Sequence, residues 1–255
     1  ADEGSKQRGL SVSEKGGTLL VSCFSGCSTE AIMAALGLPM SALFEPDVPA
    51  PRHALGTNLR APAPDGPPPA EVGRIPYGLT TPTGELVAVH TRINYADGSK
   101  SYKWSRNNKP TLDGMPVASV PLWGIARLYR YDFAADPHCI TPYVIVTEGE
   151  GPAKSLWDRG IPAVGTACGA DTCPTDEVLS TLLGYCIYSW PDNDPVNPKT
   201  GRRIGIDHMV NIGRALSRLG ETPFVVTWPD APPRGDAADF EGDAGAVWDL
   251  LANAV

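Results

Sequence analysis

The sequence predicts an α/β protein: a mainly parallel sheet with helices on both faces over residues 142–255, preceded by a small basic α+β segment over 75–141. Three observations carry that prediction. From Tyr143 onward short apolar runs alternate with amphipathic stretches, the rhythm of parallel strands joined by crossover helices. Before it, "GELVAVHTRINYADGSKSYKWS" alternates apolar and polar residues on both sides of "ADGS", a hairpin signal. Earlier still, residues 46–74 are crowded with Pro, Ala and Gly and show no apolar periodicity, which marks an extended linker after an N-terminal segment over 1–45.

Taken along the chain, "GTLLVSCFSGC" reads as a strand and turn. "STEAIMAALGL" then reads as a short helix with Ser28 as N-cap and Gly37 near its end. The hairpin follows the linker. In the C-terminal part, strands are expected at 143–147, 161–165, 185–189 and 223–228, and helices near 151–159, 174–183, 205–219 and 241–253. In such a sheet the ligand site lies beyond the carboxyl ends of the strands.

That rule gives meaning to the acids. Glu148 and Glu150 follow the buried run Tyr143-Val144-Ile145-Val146, and the run "YCIYSW" leads into "PDND", with Asp192 and Asp194 at i, i+2. "PFVVTW" is followed by Asp230, Asp236 and Asp239. Carboxylates gathered on one rim repel and raise one another's pKa unless a cation belongs there. Only Lys154 and Arg234 lie nearby in sequence, so a hard divalent ion, magnesium or manganese, is the simpler balance. "GEGPAKS" is like a phosphate-cradling loop in outline, but Ala153 stands where the glycine before the lysine belongs.

Composition sets the frame. With 255 residues and 42% apolar content the chain can bury a substantial core. It has neither a run of about eighteen apolar residues nor a charged-then-apolar N-terminal pattern, so it reads as cytoplasmic, with no membrane partner. The six cysteines are spread unevenly, and reduced thiols are expected. The net charge of −8 is unevenly placed: residues 1–141 hold 13 basic and 13 acidic side chains, residues 142–255 hold 8 and 16. Residues 92–130 carry seven basic side chains against Asp97 and Asp113, which suggests a polyanion held in one place and a divalent metal in the other, the alternative being two solvated surfaces. Lys100, Lys103, Arg106 and Lys109, interleaved with Tyr102 and Trp104, suit phosphate contact and base stacking on single-stranded nucleic acid.

"VIVTEGE", "GIPAVGTACGA" and "SWPDND", in that order, followed by "IGIDHMVNIGRALSRLG" and "PPRGDAADF", resemble the toprim domain of the DNA primases of phages, plasmids and other mobile elements. Residues 143–240 carry the likeness, with Arg234 where the family has lysine. "GLSVSEKGGTLLVSCFSGCSTEAIMAALGLPMSALF" is similar to the second half of the zinc ribbon of such primases, with Cys23 and Cys27 matching two zinc ligands. The ribbon's first ligand pair has no counterpart in this sequence. Structural zinc normally takes four ligands, so zinc is expected only if the others are supplied upstream.

The resemblance implies magnesium-dependent, template-directed synthesis of short RNA primers from ribonucleoside triphosphates on single-stranded DNA, alongside a replicative helicase. It implies Glu148, Asp192 and Asp194 as catalytic and metal-holding residues, with Asp236 supporting a second metal. Glu150 is expected at the start of a helix, where negative charge is favoured. Two other readings are a toprim-type nuclease and a non-catalytic primase fragment that binds single-stranded DNA.

Overall fold

A computed structural model describes residues 10–15, 18–23, 27–37, 69–169, 172–198 and 201–255. The chain divides into two compact units, residues 1–67 and 68–255. In the first, β1 (Leu10–Lys15) and β2 (Thr18–Cys23) pair antiparallel, with Leu10 opposite Cys23. α1 (Thr29–Ala35) is opened by Ser28, whose side chain accepts a hydrogen bond from the Ala31 amide at 3.3 Å. This is the expected N-cap, and it satisfies an amide that the helix itself cannot. Most of the expected linker, and residues 24–26 between Cys23 and Cys27, lie outside the described residues.

The second unit begins with an antiparallel sheet, β3 (Glu71–Thr80), β4 (Leu86–Tyr95) and β5 (Lys100–Ser105), in the order β3-β4-β5. β4 and β5 are the two arms of the expected hairpin. Its turn is held by Asp97, whose carboxylate accepts from the Ser99 amide at 2.9 Å and the Ser99 hydroxyl at 2.6 Å. β3 is absent from the expected elements and begins inside the stretch read as linker, so residues 71–74 are strand. Gly73, Pro76 and Gly78 interrupt the alternation that would have marked it. Proline is tolerated there because β3 is an edge strand.

The parallel sheet contains β6 (Tyr143–Thr147), β7 (Ala163–Gly165), β8 (Cys186–Trp190) and β9 (Phe224–Val225), in the order β7-β6-β8-β9. All three pairings are parallel, which makes this part α/β as expected. The run expected as strand over 223–228 pairs only at its start. Every residue of β6 is buried, which explains its unbroken apolar sequence up to Val146. α2 (Ile125–Leu128), α3 (Glu150–Asp158), α4 (Asp176–Ser180), α5 (Ile204–Arg218) and α6 (Ala244–Ala252) cover it. Leu156, Leu179, Ile187, Ile212, Leu216 and Val247 form one core with β6, each contributing about 1.5–3 kcal/mol by leaving water.

Strand order fixes where a ligand can sit. From β6 the chain crosses through α3 to β7 on one side; from β8 it crosses through α5 to β9 on the other. Right-handed crossovers in opposite directions put α3 on one face and α4 and α5 on the other. α4 does pack against α5. The connections part between the adjacent strands β6 and β8, which is the topological switch point where open α/β sheets leave a crevice. Among the described residues, no helix is long and apolar enough to cross a membrane.

Candidate functional site

Glu148 leaves the end of β6 and Asp192 leaves the end of β8, so both stand at this switch point. The turn carrying Glu148 is pinned by two threonines: Thr147 donates its hydroxyl to the Gly149 carbonyl at 2.9 Å, and Thr166 donates to the Glu148 carbonyl at 3.2 Å. The Glu148 carboxylate then accepts the Asp192 amide at 3.0 Å, joining the two strand ends. Asp194 accepts the Gly205 amide at 3.1 Å, at the N-terminus of α5, where an anion is stabilised by the unpaired amides and the helix dipole. Gly205 is also a steric requirement. A Cβ there would lie 2.4 Å from Glu148 Oε1 and 2.9 Å from the Asp192 carbonyl oxygen.

Asp236 reaches the same place through a clasp. Asn193 donates its side-chain amide to the carbonyls of Ala231 and Pro232 at 2.9 and 3.0 Å, and its backbone exchanges hydrogen bonds with Arg234 and Gly235. The loop after β9 is thereby tied to the loop after β8, and Asp236 lines one cavity with Glu148 and Asp192. Asp239 supports it from behind by accepting the Asp236 amide at 3.0 Å. Asp230 is exposed and does not line this cavity.

Electrostatics follow from the crowding. Burial raises Glu148 to about 7; Asp194 and Asp236 add to the shift, while the Asp192 amide opposes it. Asp192 is raised to about 8, again chiefly by burial and then by Glu148, Asp236 and Asp194, with Lys100 opposing. Asp236 is raised by burial, against the hydrogen bond from the Ala238 amide. Glu148 and Asp192 therefore hold their protons into the neutral range.

The opposite wall is the antiparallel sheet. In its ladder His90 pairs with Trp104, Arg92 with Tyr102 and Asn94 with Lys100. Alternation puts these side chains on one face, and Tyr77, Arg92, Lys100 and Tyr102 line the 150 Å³ cavity opposite the acids. The four basic residues expected to contact nucleic acid are therefore divided. Lys100 faces the acids, whereas Lys103 falls on the other face of β5. Lys109 is ion-paired with Asp113. Arg106 is half-buried, and its Nε has no hydrogen-bond partner. The expected countercharges are corrected as well: Lys154 pairs with Asp158 at 2.6 Å and Arg234 is exposed, so Lys100 and Arg92 provide the nearby positive charge from the other sheet.

Glu150 opens α3 as expected, but it is buried rather than solvated. Its carboxylate lies 2.5 Å from His90 Nδ1, and the imidazole is stacked between Tyr102 and Trp104 at centroid separations of 4.8 and 4.0 Å. His90, Arg92, Tyr77 and Gly205 are the site residues that the sequence reading misses. An alternating strand with His90 and Arg92 on one face was the available signal for two of them.

Glu148, Asp192 and Asp236 line this cavity while Asp194 stands outside its lining, and Glu148 and Asp192 are raised into the neutral range. Three of these four acids are engaged with amides, Glu148 with that of Asp192, Asp194 with that of Gly205 and Asp236 with that of Ala238. Among the described residues, no three His, Cys, Asp or Glu side chains form a ready-made metal cluster. Cys23 ends β2 and Cys27 is exposed just before α1.

No family model and no curated protein matches the chain. Among solved structures, the chain is similar to the primase fragment of the bacteriophage T7 primase-helicase protein, at 15% identity and a TM-score of 0.43. The likeness covers 70% of this chain, which spans 62% of that fragment.

Proposed function

We propose that this cleft is a nucleotidyl-transfer site of the toprim primase kind, making short RNA primers from ribonucleoside triphosphates on single-stranded DNA. One observation carries the reading: acids from the ends of β6 and β8, joined by the Asp236 loop, meet at the switch point and face the basic residues Lys100 and Arg92. A cleft that is anionic on one wall and cationic on the other suits a phosphate chain bridged to a divalent ion.

Glu148, Asp192, Asp194 and Asp236 would hold magnesium or manganese, which when bound neutralises charge on a transferring phosphoryl group. Lys100 and Arg92 orient the phosphates from across the cleft, and Tyr102, 43% exposed beside them, offers a face for a base. Glu148, poised near neutrality, is suited to accept the proton of the attacking hydroxyl. A replicative helicase as partner, and zinc on Cys23 and Cys27 with ligands from elsewhere, belong to the same proposal.

The test is primer synthesis from single-stranded DNA, ribonucleoside triphosphates and magnesium. Asp192→Ala is expected to lower the yield by about 100-fold or more, in line with removing a group that stabilises transition-state charge. Equal synthesis by both proteins would sink the assignment. Cleavage of the DNA by the wild type, lost in Asp192→Ala, would point instead to the nuclease reading.

A further inference from the structure

A cavity of 520 Å³ in the second unit lies outside the acidic cleft and shares no lining residue with it. Gly78 and Thr80 of β3 form one side, Trp123 and Trp157 another, and Arg127 and Arg130 project from the turn of α2 and its end. Its volume falls within the roughly 300–1,000 Å³ of small-molecule sites.

Both guanidinium groups are oriented from behind. Arg127 lies over the Trp157 indole at 4.3 Å, while the Trp157 N–H is committed to the Ala163 carbonyl at 2.7 Å. Arg130 donates one N–H to the Thr83 carbonyl at 2.9 Å. Gly84, at φ +97°, makes room for it, since a Cβ there would lie 2.3 Å from Arg130 Nη2. Neither arginine is ion-paired with a carboxylate among the described residues. Asp132, the one acid lining the cavity, turns its carboxylate onto the Ala134 amide at 3.1 Å. Both side chains are exposed and keep unspent donors, which suit a tetrahedral oxyanion better than lysine would. Trp123, half-buried at the same wall, adds a flat face for a planar ring.

We propose that this cavity is a second nucleotide-phosphate site, Arg127 and Arg130 gripping the phosphate and Trp123 carrying the base. The phosphate comes either from a free nucleotide or from one unit of a passing single strand. The site does not depend on the chemistry of the acidic cleft.

Fluorescence anisotropy with a labelled twelve-residue oligothymidylate, and calorimetry with ATP, test this on the full chain. Arg127→Ala/Arg130→Ala is expected to weaken at least one of the two ligands by about tenfold, with an unchanged thermal midpoint. The slope of log affinity against log salt for the oligonucleotide should fall by roughly one to two. Loss for both ligands assigns a free-nucleotide site, and loss for the oligonucleotide alone assigns a strand track; either supports the proposal. Unchanged affinity for both in the folded double variant overturns it. So does full binding by Arg127→Lys/Arg130→Lys, because charge without the fork would then suffice. Asp192→Asn keeps the arginine-dependent share of binding while removing primer synthesis, so failure here and failure of the cleft reading remain distinguishable.

Discussion

At Gly205 a single hydrogen atom decides whether Glu148 can reach the Asp192 amide. A methyl group at that position would collide with the Asp192 carbonyl, which is backbone and cannot easily retreat, and with the Glu148 carboxylate, the end of a flexible side chain that would have to leave the Asp192 amide. Gly205→Ala is therefore expected to leave α5 formed, alanine being the better helix residue, while weakening magnesium binding by about tenfold, the order seen when a ligand's support is disturbed. Titrating magnesium against the thermal midpoint of both proteins measures this; equal midpoints at every concentration would show that Glu148 is not displaced. The acids themselves were legible in the sequence, because each follows an apolar run. Their neighbours were not. Lys100 and Arg92 lie 48 to 144 residues from Glu148, Asp192 and Asp236 in sequence, so inspection of the local chain names Lys154 and Arg234 instead, and the fold employs neither in the cleft.

Two elements hold the cleft in shape, and each relies on one polar side chain. Asn193 clasps the loop after β9, and its replacement by alanine removes two hydrogen bonds to carbonyls that then need water. Asn193→Ala is expected to cost about 1–2 kcal/mol in urea unfolding, with faster amide exchange at Arg234 and Gly235. The buried pair of His90 and Glu150 ties β4 to the first turn of α3. His90→Ala leaves the Glu150 carboxylate in the interior with no partner and is expected to cost about 1–3 kcal/mol. Glu150→Gln, which keeps a polar contact to the ring, should cost less; a loss equal to that of His90→Ala would argue against the bond. Strands and helices from β6 to α6 were readable from periodicity to within a few residues. β3 was hidden, because an edge strand can carry the proline and glycines that a sequence reading counts as linker.

For the molecule as a whole, the crowded acids make stability depend on pH, and under the proposed function on divalent ions as well. Folding raises Glu148 from its ordinary 4.5 to about 7 and Asp192 from 3.8 to about 8, so between about pH 4 and 8 the folded state binds more protons than the unfolded. Stability in chelator is thus fully present near pH 4 and declines as pH rises through 7–8. The thermal midpoint should fall over that interval by on the order of 5 °C. Asp192→Asn should flatten the decline, and magnesium should reverse it for the wild type at pH 8. A midpoint that climbs with pH in chelator would contradict the raised values. The parting of the connections at β6 and β8 has one more implication. The two acid-bearing loops leave neighbouring strands and run off in opposite directions, and the bond from the Asp192 amide to Glu148 is what spans the gap between them. A change of length on either flank is therefore felt first at that single bridge.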